Sequence, residues 1–206
     1  MGAWWSARKK GLMSMTDTPA VVVRKARARL VAPTSHRGEI GKALGRLLNA
    51  DDERILWRIE AKRNVTIEWD SESEFDEQIR SSLRDIAIEA WEFDLRAGTK
   101  LLFSIDAIPT ICRKLGRFER GKRTQLSNPE DKINWLKSRL GKGGIVTIDS
   151  HISMQDGDTH FSRYAGRVTV VDPLEIAEIL LHGLGPSKSR GFGLLLCKSD
   201  SITGAP

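Results

Sequence analysis

Leu181-His182-Gly183-Leu184-Gly185-Pro186-Ser187-Lys188-Ser189-Arg190-Gly191-Phe192-Gly193-Leu194-Leu195-Leu196 lies between an apolar helix pattern and an apolar strand pattern. It holds four glycines, one proline, two serines and two cations. Backbone N–H groups in such a loop can form an anion-binding concavity, and Lys188 and Arg190 add charge that suits phosphate. Nucleotide motifs run strand, glycine loop, helix. Here the helix comes first, and Ser187 stands where a phosphate-binding loop of the P-loop type needs glycine before its lysine, so both nucleotide motifs are excluded. A helix C-cap at Gly183 followed by a tight turn explains Gly183. It does not explain Gly185, Gly191, Gly193 and the two cations.

Outward from the loop, Asp172-Pro173 opens the preceding helix, with Glu175 placed as in a capping box and Ile176, Ile179 and Leu180 as its stripe. Gly193 to Cys197 reads as the final strand. Upstream, Gly144 to Ile152 and Gly166 to Val171 read as strands around a polar connection containing His160 and Tyr164. Asn128 caps a helix with Pro129 at its first position and Ile133, Leu136 and Leu140 facing inward. Arg113 to Arg123 holds six cations against one acid and reads as a basic loop or hairpin. Lys100 to Ala107 is a strand ended by Pro109, and Arg96-Ala97-Gly98-Thr99 marks a boundary before it.

The first half repeats the order. Ala20 to Ala32 reads as a strand with Lys25, Arg27 and Arg29 on one face. Ser35 is placed to cap a helix carrying Ile40, Ala43, Leu44, Leu47 and Leu48, and His36 extends that stripe to the first turn. A loop at Asn49 to Asp52 follows. Ile55 to Glu60 and Val65 to Asp70 form a hairpin, Glu74 to Leu83 a weak helix and Ile86 to Leu95 a strand. Strand, helix, strand, strand, helix, strand is the ferredoxin-like unit. The expected fold is α+β, two tandem ferredoxin-like βαββαβ domains at 20–96 and 97–206, with a glycine-rich loop at 183–193 near their seam. Residues 1–19 read as a mobile N-terminal extension, and Met13 or Met15 as the true start.

The 206 residues carry a net charge of +6 with a pI near 9.5, which suits an anionic partner, nucleic acid before a membrane surface. Cys112 and Cys197 make no metal spacing and suggest free thiols in a reducing cytoplasm. No apolar run reaches the roughly 18 residues of a membrane span. His151, His160 and His182 make no helical metal pair; a surface role suits His160 and a helix-end role His182. Tyr164, the single tyrosine, reads as packing.

The ordered set of motifs resembles the RAMP superfamily of CRISPR proteins, and within it the CasE type, the repeat-processing endoribonucleases of the Cascade complex. The resemblance rests on the loop His182 to Leu195, on Arg54-Ile55-Leu56-Trp57-Arg58-Ile59-Glu60, on Gly98 to Pro109, on Lys122-Arg123, on Asp131-Lys132-Ile133-Asn134-Trp135-Leu136 and on Gly166 to Pro173. It covers roughly residues 20–197 in the family's order. It implies metal-independent cleavage of a CRISPR repeat hairpin 3′ of its stem, by attack of the substrate's own 2′-hydroxyl, leaving a 2′,3′-cyclic phosphate. Neither cofactor nor metal is implied. The implied partners are repeat RNA and other Cascade subunits, in the cytoplasm, with no membrane.

The resemblance implies a catalytic histidine in the first helix, at the start of its apolar stripe, and His36 fits that place. A helix N-terminus favours the neutral imidazole, so the base is the role expected of it. Glu39 and Pro33 depart from the family's pattern, and alignment on Leu47-Leu48-Asn49 puts Gly41 at the catalytic position instead. Lys188 or a water is left as the acid. The RNA-binding candidates are Arg37, Lys122, Arg123, Gly185, Ser187, Lys188, Ser189 and Arg190. Two other readings compete with the enzyme: a catalytically silent RNA-binding subunit of the same superfamily, and a ferredoxin-like regulatory module holding a small anion in the glycine loop.

Overall fold

A computed structural model describes residues 20–48, 55–61, 63–113 and 121–200. The expected extension at 1–19, the loop at 49–52 and the centre of the basic segment at 114–120 lie outside the described residues.

The chain forms two four-stranded antiparallel sheets with helices. The first contains β1 (Val21–Val31), β2 (Ile55–Ala61), β3 (Asn64–Asp70) and β4 (Ile88–Leu95) in the order β2-β3-β1-β4. Its helices are α1 (Arg37–Leu48) and α2 (Asp76–Ser82). Alternation explains their seat. Ala26, Ala28, Val65, Ile67, Trp69, Ile55 and Trp57 share one face and bury against Ile40, Leu44 and Leu48 of α1 and Ile79 of α2. Each large aliphatic side chain so buried contributes about 1.5–3 kcal/mol.

The second sheet contains β5 (Lys100–Ala107), β8 (Gly144–Asp156), β9 (Thr159–Val170) and β10 (Leu195–Ser199) in the order β10-β5-β9-β8. A separate hairpin of β6 (Thr110–Arg113) and β7 (Lys122–Gln125) follows β5. α3 (Pro129–Leu140) begins at Asn128, whose side chain accepts from the Glu130 N–H. α4 (Pro173–His182) begins at Asp172, whose side chain accepts from the Leu174 N–H at 3.1 Å, and ends at Gly183. Leu136, Leu140, Ile176 and Leu180 pack on Leu101, Phe103, Ile105, Tyr164 and Val168.

Val23, Phe93 and Leu95 of the first sheet join that same cluster, so the helix-free face of β1 and β4 packs against the second half. The expected basic face of β1 is therefore covered in part. Lys25 is 2% exposed; its ammonium donates to the Leu180 carbonyl at 2.8 Å and pairs with Glu68 at 2.5 Å.

Two sequence readings are corrected. The second half has no polar connection at His160 and Tyr164. β8 and β9 run on to a two-residue turn at Gly157-Asp158, where Gly157 takes φ 55, so both residues lie in β9. Gly157-Asp158, with glycine at the first central position, is the turn signal that marks it. The cap of α1 is also one residue later than expected. The His36 carbonyl accepts from the Glu39 and Ile40 N–H groups at 3.1 Å each, while the His36 N–H donates to Thr34 Oγ1 at 3.1 Å. His36 is thus the exposed residue before the helix and lies off the buried stripe.

Candidate nucleic-acid interface

Three segments meet at the seam: the N-terminus of α1, the loop after α4 and the tip of the β8–β9 hairpin. The loop reverses direction through Gly183, Gly185, Ser187, Gly191 and Gly193, all at positive φ. Lys188–Arg190 forms a single 3₁₀ turn between Ser187 (φ 66) and Gly191 (φ 76). Ser187 is the one residue other than glycine in that region among the described residues, held there as its carbonyl accepts from Arg190 N–H at 3.0 Å. Gly191 leaves no room for a side chain: a Cβ there would lie 2.5 Å from the Trp57 ring. The loop closes on itself and on β5, with Leu184 N–H donating to Gly193 O at 2.9 Å and Gly193 N–H to Asp106 O at 2.7 Å.

α1 lies directly on this loop. A Cβ at Gly41 would fall 2.5 Å from the carbonyl oxygen of Ser189, so the helix backbone and the 3₁₀ turn touch there. One turn earlier, Arg37 Nη1 donates to the Gly191 carbonyl at 3.0 Å. His36 is thereby brought to the same region as Ser187, Lys188, Ser189 and Arg190. Arg190 donates from Nη2 to Ser187 Oγ at 3.0 Å, and its Nη1 reaches Thr159 Oγ1 at 3.4 Å. Lys188 is half-buried and Arg190 exposed.

The other predicted residues are distributed as follows. Gly185 sits against Trp135, its absent Cβ 3.1 Å from the indole ring. Arg123 is exposed on β7 opposite Cys112, and the Lys122 backbone pairs with Arg113. Their hairpin is tethered to the β9 end of the site, because Gln125 Nε2 donates to the His160 carbonyl at 2.6 Å. Arg37, expected as an RNA contact, is only 8% exposed, and its guanidinium is engaged within the protein.

Asp106 and Asp156, which hold Arg37, escaped the sequence reading. Asp106 had a signal: a carboxylate inside the apolar run Phe103-Ser104-Ile105-Asp106-Ala107 is buried only when paired. It is 1% exposed and accepts from Arg163 at 2.7 and 2.8 Å. Its hydrogen bonds raise the pKa of Arg163, whereas burial lowers that of Arg37, with Asp106 and Asp156 opposing.

Tyr164 is fully buried; its hydroxyl donates to the Lys132 carbonyl at 3.1 Å, and burial pushes the phenol up to about 12. His151 stacks on it with ring centroids 4.8 Å apart, and burial followed by the nearby Lys132 charge lowers the imidazole pKa. A cleft of about 440 Å³ between the halves is lined by Arg27, Arg29, Trp91 and Ser104 among others. Arg27 is already bonded to Glu68 at 2.7 Å and Arg29 lies 3.6 Å from Glu89. Among the described residues, no three His, Cys, Asp or Glu side chains converge to hold a metal ion, and no helix is long and apolar enough to cross a membrane.

Fold and site define an α+β chain of two antiparallel sheets with a cationic, glycine-rich loop at their seam. The chain belongs to the CRISPR associated protein family, whose model matches residues 18–198. It is 28% identical over 199 residues to the CRISPR-associated endoribonuclease Cse3 of Thermus thermophilus, covering 84% of this chain and 92% of that one. It is 30% identical over 120 residues to the Cascade subunit CasE of Escherichia coli, 50% of this chain and 60% of the relative. A structure of Thermus thermophilus Cse3 bound to an RNA representing a pre-cleavage complex superposes with a TM-score of 0.64 at 25% identity, over 85% of this chain and 99% of the other.

Proposed function

We propose that the chain is a CRISPR repeat-processing endoribonuclease that binds the repeat stem-loop and cuts 3′ of its stem. The observation that carries this reading is the contact of the α1 N-terminus with the cationic loop, through Gly41 against Ser189 and Arg37 on Gly191. It supports a site in which the exposed His36, next to Arg37, works with the loop cations on a phosphate. The described elements support two ferredoxin-like units of the RAMP type, at 20–96 and 97–206, each ordered strand, helix, strand, strand, helix, strand, the second with the β6–β7 hairpin inserted after its first strand.

The reaction runs without a metal. The His36 imidazole takes the proton of the ribose 2′-hydroxyl, and the 2′-oxygen attacks the adjacent phosphorus. The bond from phosphorus to the 5′-oxygen breaks, and Lys188 or a water protonates that oxygen. The products are a 2′,3′-cyclic phosphate and a 5′-hydroxyl. Lys188 and Arg190, with the loop at Gly185, Ser187 and Ser189, hold the phosphates near the cut, while Lys122 and Arg123 contact the stem. A-form stems are bound chiefly through phosphate, 2′-hydroxyl and shape, which suits cations spread over loops and a hairpin. A relative that is a Cascade subunit supports an association with other Cascade subunits, and we read the protein as cytoplasmic.

The silent-subunit reading is favoured if Gly41 stands for the family's histidine. The packing of Gly41 against Ser189 leaves no space for a side chain there. Incubation with the host's own CRISPR repeat RNA in EDTA tests the choice. One specific cut supports the enzyme. Tight binding without a cut supports the silent subunit, and absence of RNA binding the small-anion module.

A further inference from the structure

His36 is fixed at its backbone, by Thr34 on one side and Glu39 and Ile40 on the other. Its position relative to the loop is set by what the next residue grips. Arg37 Nε donates to Asp156 at 2.8 Å, Nη1 to the Gly191 carbonyl at 3.0 Å, and Nη2 lies 3.6 Å from Asp106. The guanidinium also lies over the Phe192 and Phe161 rings, 4.4 and 5.0 Å from their centroids. One side chain of the first half thus ties β5, β8, β9 and the glycine loop. Asp106 strengthens the link, because its carboxylate faces Arg37 and Arg163 while its carbonyl accepts from Gly193.

A buried guanidinium whose three nitrogens all face protein acceptors has little left for a phosphate. We propose that Arg37 is a positioning residue, which registers the histidine end of α1 against the glycine loop instead of contacting RNA. The catalytic part of this inference rests on the endoribonuclease reading above. A misplacement of about 1 Å at the reacting groups can lower a rate by about 10²-fold.

The test is single-turnover cleavage of the host's CRISPR-repeat hairpin RNA, with affinity measured at two salt concentrations. Arg37→Met should slow cleavage by about 10²-fold while affinity stays within about 3-fold and the salt slope is unchanged. Asp156→Asn leaves Arg37 in place and should move the same rate in the same direction. The double variant should be no slower than Arg37→Met alone, as expected for two residues in one linkage. Lost affinity with a shallower salt slope, or normal cleavage by Asp156→Asn, would overturn the proposal. If the wild-type chain leaves the RNA intact, the endoribonuclease reading fails, and hydrogen exchange then decides the clamp. Arg37→Met should speed exchange at the Glu39, Ile40 and Gly191 amides and spare those pairing β2 with β3. Unchanged exchange at all of them would sink it.

Discussion

A general base must keep its ring free while its backbone is held, and His36 meets both conditions through bonds to Thr34, Glu39 and Ile40 beneath an exposed side chain. The opposite arrangement marks the residues that serve the fold. Tyr164 spends its hydroxyl on the Lys132 carbonyl inside the core. Cys197 is buried, and burial pushes its thiol up to about 12, so at neutral pH it stays protonated and inert. Cys112 is exposed. A thiol reagent should therefore label one cysteine in the native protein and two after denaturation; two rapid native equivalents would show that the β5–β10 edge of the core is open.

At the scale of elements, α1 packs on the glycine loop, and the proposed site depends on that contact. Gly41 makes that contact possible, since a methyl group there meets the Ser189 carbonyl at 2.5 Å. An exposed helical glycine replaced by alanine gains about 1 kcal/mol of helix propensity. Gly41→Ala should instead lose stability by about 1–3 kcal/mol through overpacking, read as a lower urea midpoint. A higher midpoint would mean that helix and loop are not in contact.

Much of this level was legible in the sequence. Asn128 and Asp172 cap the helices expected of them, and Gly183 ends α4. Such signals are local, written within four residues. The β8–β9 hairpin was misread because its polar residues suggested a loop, whereas Gly157 supplies the turn and the strand simply exposes one face. The burial of Arg37 was illegible for a different reason. Its partners Asp106 and Asp156 are 69 and 119 residues away along the chain, and one sequence carries no record of such pairings.

At the scale of the molecule, the net charge of +6 gives a general attraction for polyanions, and the seam is the place we propose for it. Lys25 shows that charge alone does not identify the interface, since it is sealed between Glu68 and Leu180. The loop cations differ: Lys188 is half-buried and Arg190 exposed at the edge of the site. Lys188→Ala should weaken repeat binding and reduce the slope of log affinity against log salt by about one. An unaltered slope would remove Lys188 from the phosphate contacts.

The central claim is that an imidazole at the start of α1 activates a ribose oxygen held at the seam. The direct measurement is the single-turnover rate of repeat RNA cleavage by His36→Ala in EDTA, with affinity measured in parallel. The account predicts a fall of about 10²–10⁴-fold in rate with affinity nearly kept; cleavage at the wild-type rate would contradict it.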